Sequence, residues 1–376
     1  MNKKHHKPTV LLTAREVLDL KISYEIIPES ELKPKFDSEE NLGFGKIFTD
    51  RMFVMEYKNG VWENPMIKKY SLIALDPSAI VLHYGQEIFE GQKAFSTPDG
   101  HINLFRPDKN AQRFNASAKR MMMPEIDPED YLFALKELIT LEKEWVPKSP
   151  GTSLYVRPTM IGTEPGLGVR PSTDYLFYVI LSPSGLYFPE GFQCVKIFVS
   201  EFYIRAAPGG TGNAKTGGNY AASLLVGNEA EQHGCSQVLW LDAIQKEYVE
   251  EVGASNIFFV FDDIIYTAPL ESGTILPGVT RDSTIQLAKD KGLIVKEETL
   301  SIKTVIEGIH KGRISEIFMS GTAASIAPVG SLYYQNKEHI INNFEIGEIS
   351  KELYTLLTDI QYGRREDPYG WIVRVV

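Results

Sequence analysis

Short apolar segments alternate with helical patterns through the second half of the chain, and this alternation restricts the fold more than any other feature. The runs VKIFVS, QVLWL and NIFFVF predict buried strands, and helical patterns at residues 219–233, 282–291 and 302–311 are interleaved with them. Such an order is typical of α/β proteins. The 376 residues exceed the roughly 250–300 at which single cores stop growing, so we expect two α/β domains.

The division between the two domains is predicted from a turn-rich segment near the middle of the chain. YLFYVIL at residues 175–181 predicts a buried strand, and SPSGLYFPEG directly after it contains two prolines and two glycines. These residues interrupt regular structure. We therefore predict a smaller N-terminal α/β domain at residues 1–182, an interdomain loop at 183–191 and a larger C-terminal, cofactor-binding domain at 192–376.

Two local patterns in the first half predict single elements. Asn59-Gly60 between FVMEY and Val61-Trp62 predicts a β-hairpin, because both turn residues tolerate a positive φ. Asp127 and Pro128 fit the N-cap and first position of an amphipathic helix that follows them.

Charge and cysteine content exclude several classes of protein. Lys and Arg number 39 against 49 Asp and Glu, a formal net charge of −10, so binding of nucleic acid or of an anionic membrane through overall charge is not expected. The two cysteines form no CxxC pair, and no zinc-like spacing of His and Cys occurs, so no metal site is predicted. The N-terminal segment is basic, but its apolar patch from Val10 to Leu12 is cut off by Arg15 and Glu16, and we expect a cytoplasmic protein without a targeting signal.

The segment from Pro208 to Tyr220, PGGTGNAKTGGNY, places Lys215 between two pairs of glycines just before a helix. A flexible loop with an incidental lysine is the simplest interpretation. A nucleotide-binding P-loop is a second, but Ala214 stands where that motif requires the glycine before the lysine. In the third, Lys215 carries pyridoxal phosphate as a Schiff base, which also requires a carboxylate for the pyridine nitrogen, a phenol for the ring oxygen and an anion cradle for the phosphate.

Several longer segments bear a resemblance to one family. They are HYGQEIFEGQKAF, LFRPDKNAQRFNASAKRM, YVRPTMIGTEPGLGV, GGTGNAKTGGNYAASL, EVGASNIFFV, LPGVTRDS, MSGTAASIAPV and TDIQYGRREDPYGW. From Phe44 to the C-terminus the chain resembles the branched-chain amino-acid aminotransferases, which are fold-type IV pyridoxal-phosphate enzymes. The resemblance implies two α/β domains with the cofactor at their interface, a homodimer, and ping-pong transfer of the α-amino group between Leu, Ile or Val and 2-oxoglutarate, with glutamate as the product of the second half-reaction.

The resemblance also implies the residues that hold the cofactor. Lys215 would form the Schiff base and move the proton at the substrate's Cα, Tyr220 would bind the ring oxygen, and Glu251 would pair with the pyridinium. On an extended strand successive side chains face opposite sides, so Glu250 would then face solvent; exposure of both glutamates is the alternative. Arg113 would bind the phosphate, with Val279 and Thr280 at a helix N-terminus and with Thr322. An exposed salt bridge is the alternative for Arg113, and a helix-packing role is the alternative for Tyr220.

On the substrate side the resemblance implies an apolar pocket that also accepts a second carboxylate. Arg157 would neutralise that carboxylate directly or through Tyr155, and the backbone amide of Ala323 would bind the α-carboxylate, because Ala254-Ser255 replace a threonine and a methionine of mammalian relatives. Core packing is the alternative for the aromatic residues. The implied pocket comprises Phe44, Tyr84, Phe89, Tyr155, Arg157, Tyr187 and Ala323, with Leu167 and Val169 from the partner subunit.

Two further fold-type IV activities use the same lysine. A D-amino acid transaminase and an aminodeoxychorismate lyase would differ in the substrate pocket. The segments FEGQKAF and GTEPGLGV favour the branched-chain enzyme over both.

Overall fold

The first of two large sheets contains the strands of the first half of the chain. The computed structural model describes residues 20–40, 42–185 and 192–376, and the strands of these residues form two nine-stranded sheets. The first eight strands are β1 (Ser23–Tyr24), β2 (Arg51–Lys58), β3 (Val61–Lys69), β4 (Glu87–Phe89), β5 (Gln92–Ser96), β6 (Ile102–Phe105), β7 (Ser153–Gly162) and β8 (Tyr175–Ser184).

The second sheet contains a closed ring of strands. Its members are β9 (Val195–Val199), β10 (Gln237–Leu241), β11 (Val249–Val252), β12 (Ser255–Phe261), β13 (Ile264–Thr267), β14 (Ile294–Glu297), β15 (Ile314–Gly321), β16 (Ser325–Tyr334) and β17 (Lys337–Ile340). The order is β11-β10-β9-β16-β15-β12-β13-β14, with β17 on β16. Because β11 also pairs with β12, the six strands from β11 to β12 close on themselves.

The last strand returns to the first sheet. β18 (Ile372–Arg374) pairs antiparallel with β6, which gives the order β1-β3-β2-β8-β7-β5-β6-β18 with β4 on β7. The C-terminal end of the chain therefore connects the two sheets. The division into domains at residues 183–191 stays a prediction, and residues 186–191 lie outside the described part of the chain.

Helices cover the sheets and complete their cores. The helices are α1 (Ile80–Tyr84), α2 (Pro107–Arg120), α3 (Pro128–Leu141), α4 (Gly217–Ala221), α5 (Leu224–Gln232), α6 (Val279–Asp290), α7 (Ile302–His310) and α8 (Glu348–Gln361).

Among residues 20–40, 42–185 and 192–376, no helix is long and apolar enough to cross a lipid bilayer.

Alternation along the strands assigns their side chains to separate cores. In β12, Ile257 and Phe259 pack in a cluster with residues of β9, β10 and α7. Phe258 and Val260 point the other way and pack with α6 and α8. Because both faces are covered, this strand is an almost continuous apolar run, as the sequence pattern predicted.

The local predictions are confirmed where the chain is described, with one change. Asn59 and Gly60 have φ values of 52° and 84° in the β2–β3 hairpin, and Asp127 accepts a hydrogen bond from the backbone N–H of Glu129 at the start of α3. The helix predicted at residues 219–233 is divided into α4 and α5.

Candidate active site

A cavity of about 330 Å³ lies where the two sheets face each other. Phe89, Tyr155 and Arg157 reach it from the first sheet, and Glu251 and Asn256 from the second. All seven residues predicted to hold the cofactor line this cavity, namely Arg113, Lys215, Tyr220, Glu251, Val279, Thr280 and Thr322. Of the predicted substrate residues, it is lined by Phe44, Phe89, Tyr155, Arg157 and Ala323.

The remaining predicted substrate residues lie elsewhere. Tyr84 does not line the cavity, and its hydroxyl donates a hydrogen bond to the carbonyl of Leu167. Leu167 and Val169 are 66% and 85% exposed in the single chain, and their role at a partner's site stays a prediction. Tyr187 lies outside the described residues.

Main-chain hydrogen bonds hold Lys215 between two elements of the first half. Its backbone N–H donates to Ser117 Oγ in α2 at 2.9 Å, and its carbonyl accepts from the N–H of Phe89 in β4 at 3.0 Å. Its ammonium donates to the hydroxyl of Tyr220 at 2.7 Å and lies 4.8 Å from the centre of the Phe89 ring. The amine is thus buried, oriented and directed into the cavity.

The glycine segment before Lys215 is anchored by side chains. Asn219 donates to the carbonyls of Thr211 and Ala214, at 2.8 and 2.9 Å. At Gly212 a Cβ atom would lie 2.4 Å from the carbonyl oxygen of Thr274, so a side chain at this position would displace the backbone of the neighbouring segment. The loop therefore fixes the lysine in place.

Glu251 is a fully buried carboxylate facing the same cavity. It forms an ion pair with Arg205, and Asn256 Nδ2 donates to its Oε2 at 3.4 Å. Its Oε1 has no hydrogen-bond partner in the described part of the chain, since the approach of Arg205 lacks hydrogen-bond geometry. Burial raises the pKa of Glu251 to about 7; Arg205 opposes this shift and neighbouring Glu250 adds to it.

The prediction that Glu250 faces solvent is wrong. Glu250 and Glu251 are only 7% and 2% exposed, and the hydroxyl of Thr274 donates to Glu250 Oε1 at 2.5 Å. The physical reason is that β11 is paired on both edges, and the segment around Thr274 covers its second face. Alternation distinguishes the two faces of a strand but does not tell which of them are covered.

The first turn of α6 forms an anion cradle at the end of the cavity. Gly278 occupies the N-cap position without any side-chain cap, so the unpaired N–H groups of the first turn remain available to an anion. Val279, Thr280 and Thr322 all line this end.

Arg113 is engaged by a partner that the sequence did not indicate. Its Nε and Nη2 donate to the two oxygens of Glu90 at 2.7 and 2.9 Å, and its Nη1 donates to the carbonyl of Pro277 at 3.0 Å. Burial raises the pKa of Glu90, but the pairing with Arg113 outweighs this and holds it below its usual range. The pair is buried, so an exposed salt bridge is not what Arg113 forms, and its positive charge is already balanced before any ligand binds.

Sequence reasoning missed Glu90 and Arg205. Glu90 was visible as an acidic residue inside the apolar segment IFEGQKAF, a position that requires a buried partner. Arg205 gave no local signal, because its ion-pair partner Glu251 and the carbonyl of Thr274, to which it donates at 2.8 Å, are distant along the chain.

The raised pKa of Glu251 predicts how stability depends on pH in the cofactor-free chain. Between its ordinary value of 4.5 and about 7, the folded state keeps a proton that the unfolded state releases, so the free energy of unfolding falls as pH rises. The slope is about 1 kcal/mol per pH unit. Urea unfolding between pH 5 and 7 should show a shallower pH dependence for Glu251→Gln than for the unmodified chain, and parallel curves would contradict the assignment.

Comparison with known proteins identifies the class to which this site belongs. The profile of the family "Amino-transferase class IV" matches residues 87–332. The chain therefore belongs to the class IV aminotransferases, and the predicted fold-type IV α/β class is confirmed.

Relatives within this family are named branched-chain-amino-acid transaminases or aminotransferases. The chain is 51% identical to branched-chain-amino-acid transaminase 1 of Bacillus subtilis (strain 168), covering 89% of this chain and 94% of the relative. It is 48% identical to the branched-chain-amino-acid aminotransferase of Mycolicibacterium smegmatis, over 89% and 92% of the two chains.

Solved structures give the same result for the fold. The branched-chain amino acid aminotransferase of Escherichia coli superposes with a TM-score of 0.72 at 30% identity, over 87% of this chain and 99% of that one. The branched-chain amino acid aminotransferase from T.th., solved with pyridoxamine 5′-phosphate, gives a TM-score of 0.70 at 28% identity, over 86% and 98%.

Proposed function

We propose that this chain transfers the α-amino group between branched-chain L-amino acids and 2-oxoglutarate by a ping-pong route, with pyridoxal phosphate in the cavity between the two sheets. The observation that carries the proposal is the convergence of the Lys215 amine, the Glu251 carboxylate and the α6 N-terminus on one cavity. The identities of about 50% to named branched-chain transaminases support the same substrate class.

The residues present fit the cofactor. Glu251 Oε1 is a buried acceptor without a hydrogen-bond partner in the described chain, and a protonated pyridine nitrogen is the kind of donor it lacks. The uncapped first turn of α6 suits a phosphate. At Gly278 a Cβ atom would lie 2.1 Å from Asn256 Oδ1, so a larger residue there would disturb the asparagine that also binds Glu251.

When bound, pyridoxal phosphate supplies an electron sink for the negative charge that develops at the substrate's Cα. Lys215, held by its main chain and by Tyr220, would be positioned to move the proton between the substrate's Cα and C4′ of the cofactor. Glu251 keeps the pyridine nitrogen protonated, and Arg205 stabilises the ionised form of Glu251.

Arg157 is proposed to accept the second carboxylate of 2-oxoglutarate in a pocket that otherwise suits aliphatic side chains. Its guanidinium lies 4.8 and 5.2 Å from the ring centres of Phe89 and Tyr155, and its Nη2 donates to the Tyr155 hydroxyl at 3.1 Å. Its buried Nε has no hydrogen-bond partner in the described residues. Packing between aromatic rings lets one arginine lie beside a branched side chain and still bind a carboxylate.

A homodimer, a division into two domains and a cytoplasmic location are also proposed. A homodimer would bring the exposed Leu167 and Val169 to the site of the partner subunit, and residues 1–182 and 192–376 would be its two domains. A cytoplasmic location would suit the two free cysteines, Cys194 and Cys235.

Amino-donor selectivity tests the function. The purified chain with pyridoxal phosphate should convert 2-oxoglutarate to glutamate with L-leucine, L-isoleucine or L-valine as donor, and should be inactive with D-alanine. Arg157→Met should raise KM for 2-oxoglutarate more than for leucine, because only the former needs the second positive charge. Turnover of D-alanine, or lyase activity on aminodeoxychorismate without L-leucine turnover, would replace the proposal by one of the other fold-type IV activities.

A further inference from the structure

Six lysine and arginine side chains are buried among the described residues, and they differ in how their charge is balanced. Arg106, Arg113, Arg205 and Arg281 each form an ion pair with a carboxylate, respectively Asp282, Glu90, Glu251 and Glu297. Lys215 is the proposed cofactor amine. The sixth, Lys93, has no role in the mechanism described above.

Lys93 is a buried ammonium without an acidic partner in the described part of the chain. It is 8% exposed, and its Nζ donates to the carbonyl of Ala323 at 2.5 Å. Burial lowers its pKa to about 8. A buried positive charge with a single neutral acceptor destabilises the protein unless another charge compensates for it.

The position of Lys93 indicates where that charge comes from. Lys93 lines a small cavity of about 20 Å³, and Val279, Thr280 and Thr322 line both this cavity and the large one. The small cavity has room for one water molecule but not for a carboxylate. Its other polar residues, Gln92, Asn110 and Gln361, are uncharged. An anion that neutralises Lys93 therefore has to bind across the first turn of α6, in the large cavity.

We infer that Lys93 is the cation that balances the cofactor's phosphate from behind the α6 N-terminus, because the charge of Arg113 is already used by Glu90. The positive charge of Lys93 attracts the phosphate across the backbone of residues 279–280 and 322–323. Lys93 makes no contact with the reacting atoms. By donating to the Ala323 carbonyl it also holds a segment that lines the large cavity. This inference depends on the proposed cofactor, and the test distinguishes a failure of the inference from a failure of the proposed function.

The test compares binding of pyridoxal phosphate and of pyridoxal, which lacks the phosphate, to the cofactor-free full chain. Lys93→Met should weaken pyridoxal phosphate at least about tenfold and leave pyridoxal unchanged, since only the phosphate interacts with the lost charge. Lys93→Arg should retain most of the affinity. Lys109→Met, at an exposed position on α2, is the control and should bind both compounds as the unmodified chain does.

Each outcome has a distinct meaning. Equal losses for both compounds, or no loss for either, would overturn the role of Lys93 and leave the proposed function standing. An unmodified chain that binds no pyridoxal phosphate would overturn the proposed function itself.

A second measurement does not depend on the folding of Lys93→Met. In Lys215→Ala, which removes the other unpaired amine, sulfate binding at pH 8.5 should be accompanied by proton uptake, because a nearby anion favours the charged form of Lys93. Because Glu251 also faces the large cavity and Lys215 helps to lower its pKa, the measurement is made in Lys215→Ala combined with Glu251→Gln, in which residue 251 cannot take up the proton. Calorimetry in two buffers of different ionisation enthalpy measures the uptake, and sulfate binding without it would contradict the inference.

Discussion

Lys215→Ala is expected to lower kcat for L-leucine transamination by roughly a thousandfold or more, because proton transfer by a positioned side chain alone contributes about 10²–10⁴-fold. The variant also loses the covalent attachment of the cofactor. The fold should persist, since the main-chain hydrogen bonds of Lys215 to Ser117 and Phe89 do not involve its side chain.

Two controls distinguish loss of chemistry from loss of structure. In the cofactor-free state, circular dichroism and thermal unfolding of Lys215→Ala should match the unmodified chain, while after addition of pyridoxal phosphate the near-visible absorption of the bound cofactor should differ. Lys119→Ala, an exposed position on α2, should keep full activity. If Lys215→Ala remained active, or if borohydride fixed the cofactor on a different lysine, the site assignment would be refuted.

Glu90→Ala should destabilise the cofactor-free chain by about 3–5 kcal/mol, because removing one member of a buried ion pair leaves the other charge uncompensated. Glu90 is completely buried and accepts two hydrogen bonds from Arg113 and one from Asn110. The unfolding free energy in urea measures the loss, and removing the cofactor excludes a contribution from ligand binding.

Companion variants isolate the charge effect. Glu31→Ala breaks the exposed Glu31–Lys69 ion pair and should cost less than about 1 kcal/mol. Combining Glu90→Leu with Arg113→Met should recover much of the stability lost in Glu90→Ala, since it removes both charges together. A loss below about 1 kcal/mol in Glu90→Ala would show that the pair is more hydrated than its burial indicates.

The predictions that the structure confirmed are those that depend on local backbone chemistry. Asn59-Gly60 fixes the β2–β3 turn through positive φ, and Asp127 caps α3, because both effects act within a few residues. The resemblance to the branched-chain aminotransferases also indicated the residues around the cavity. Lys215, Tyr220 and Glu251 line it together, although they come from a loop, a helix and a strand.

The sequence by itself determined the α/β elements, the glycine-flanked lysine and the set of residues proposed to hold the cofactor. Only the tertiary structure decided that Glu90 neutralises Arg113, that Glu250 is buried and that Lys93 has no acidic partner among the described residues. The physical reason is the range of the interactions. Backbone preferences act between neighbours in the chain, whereas the burial and pairing of charges depend on which distant strands and helices meet in space.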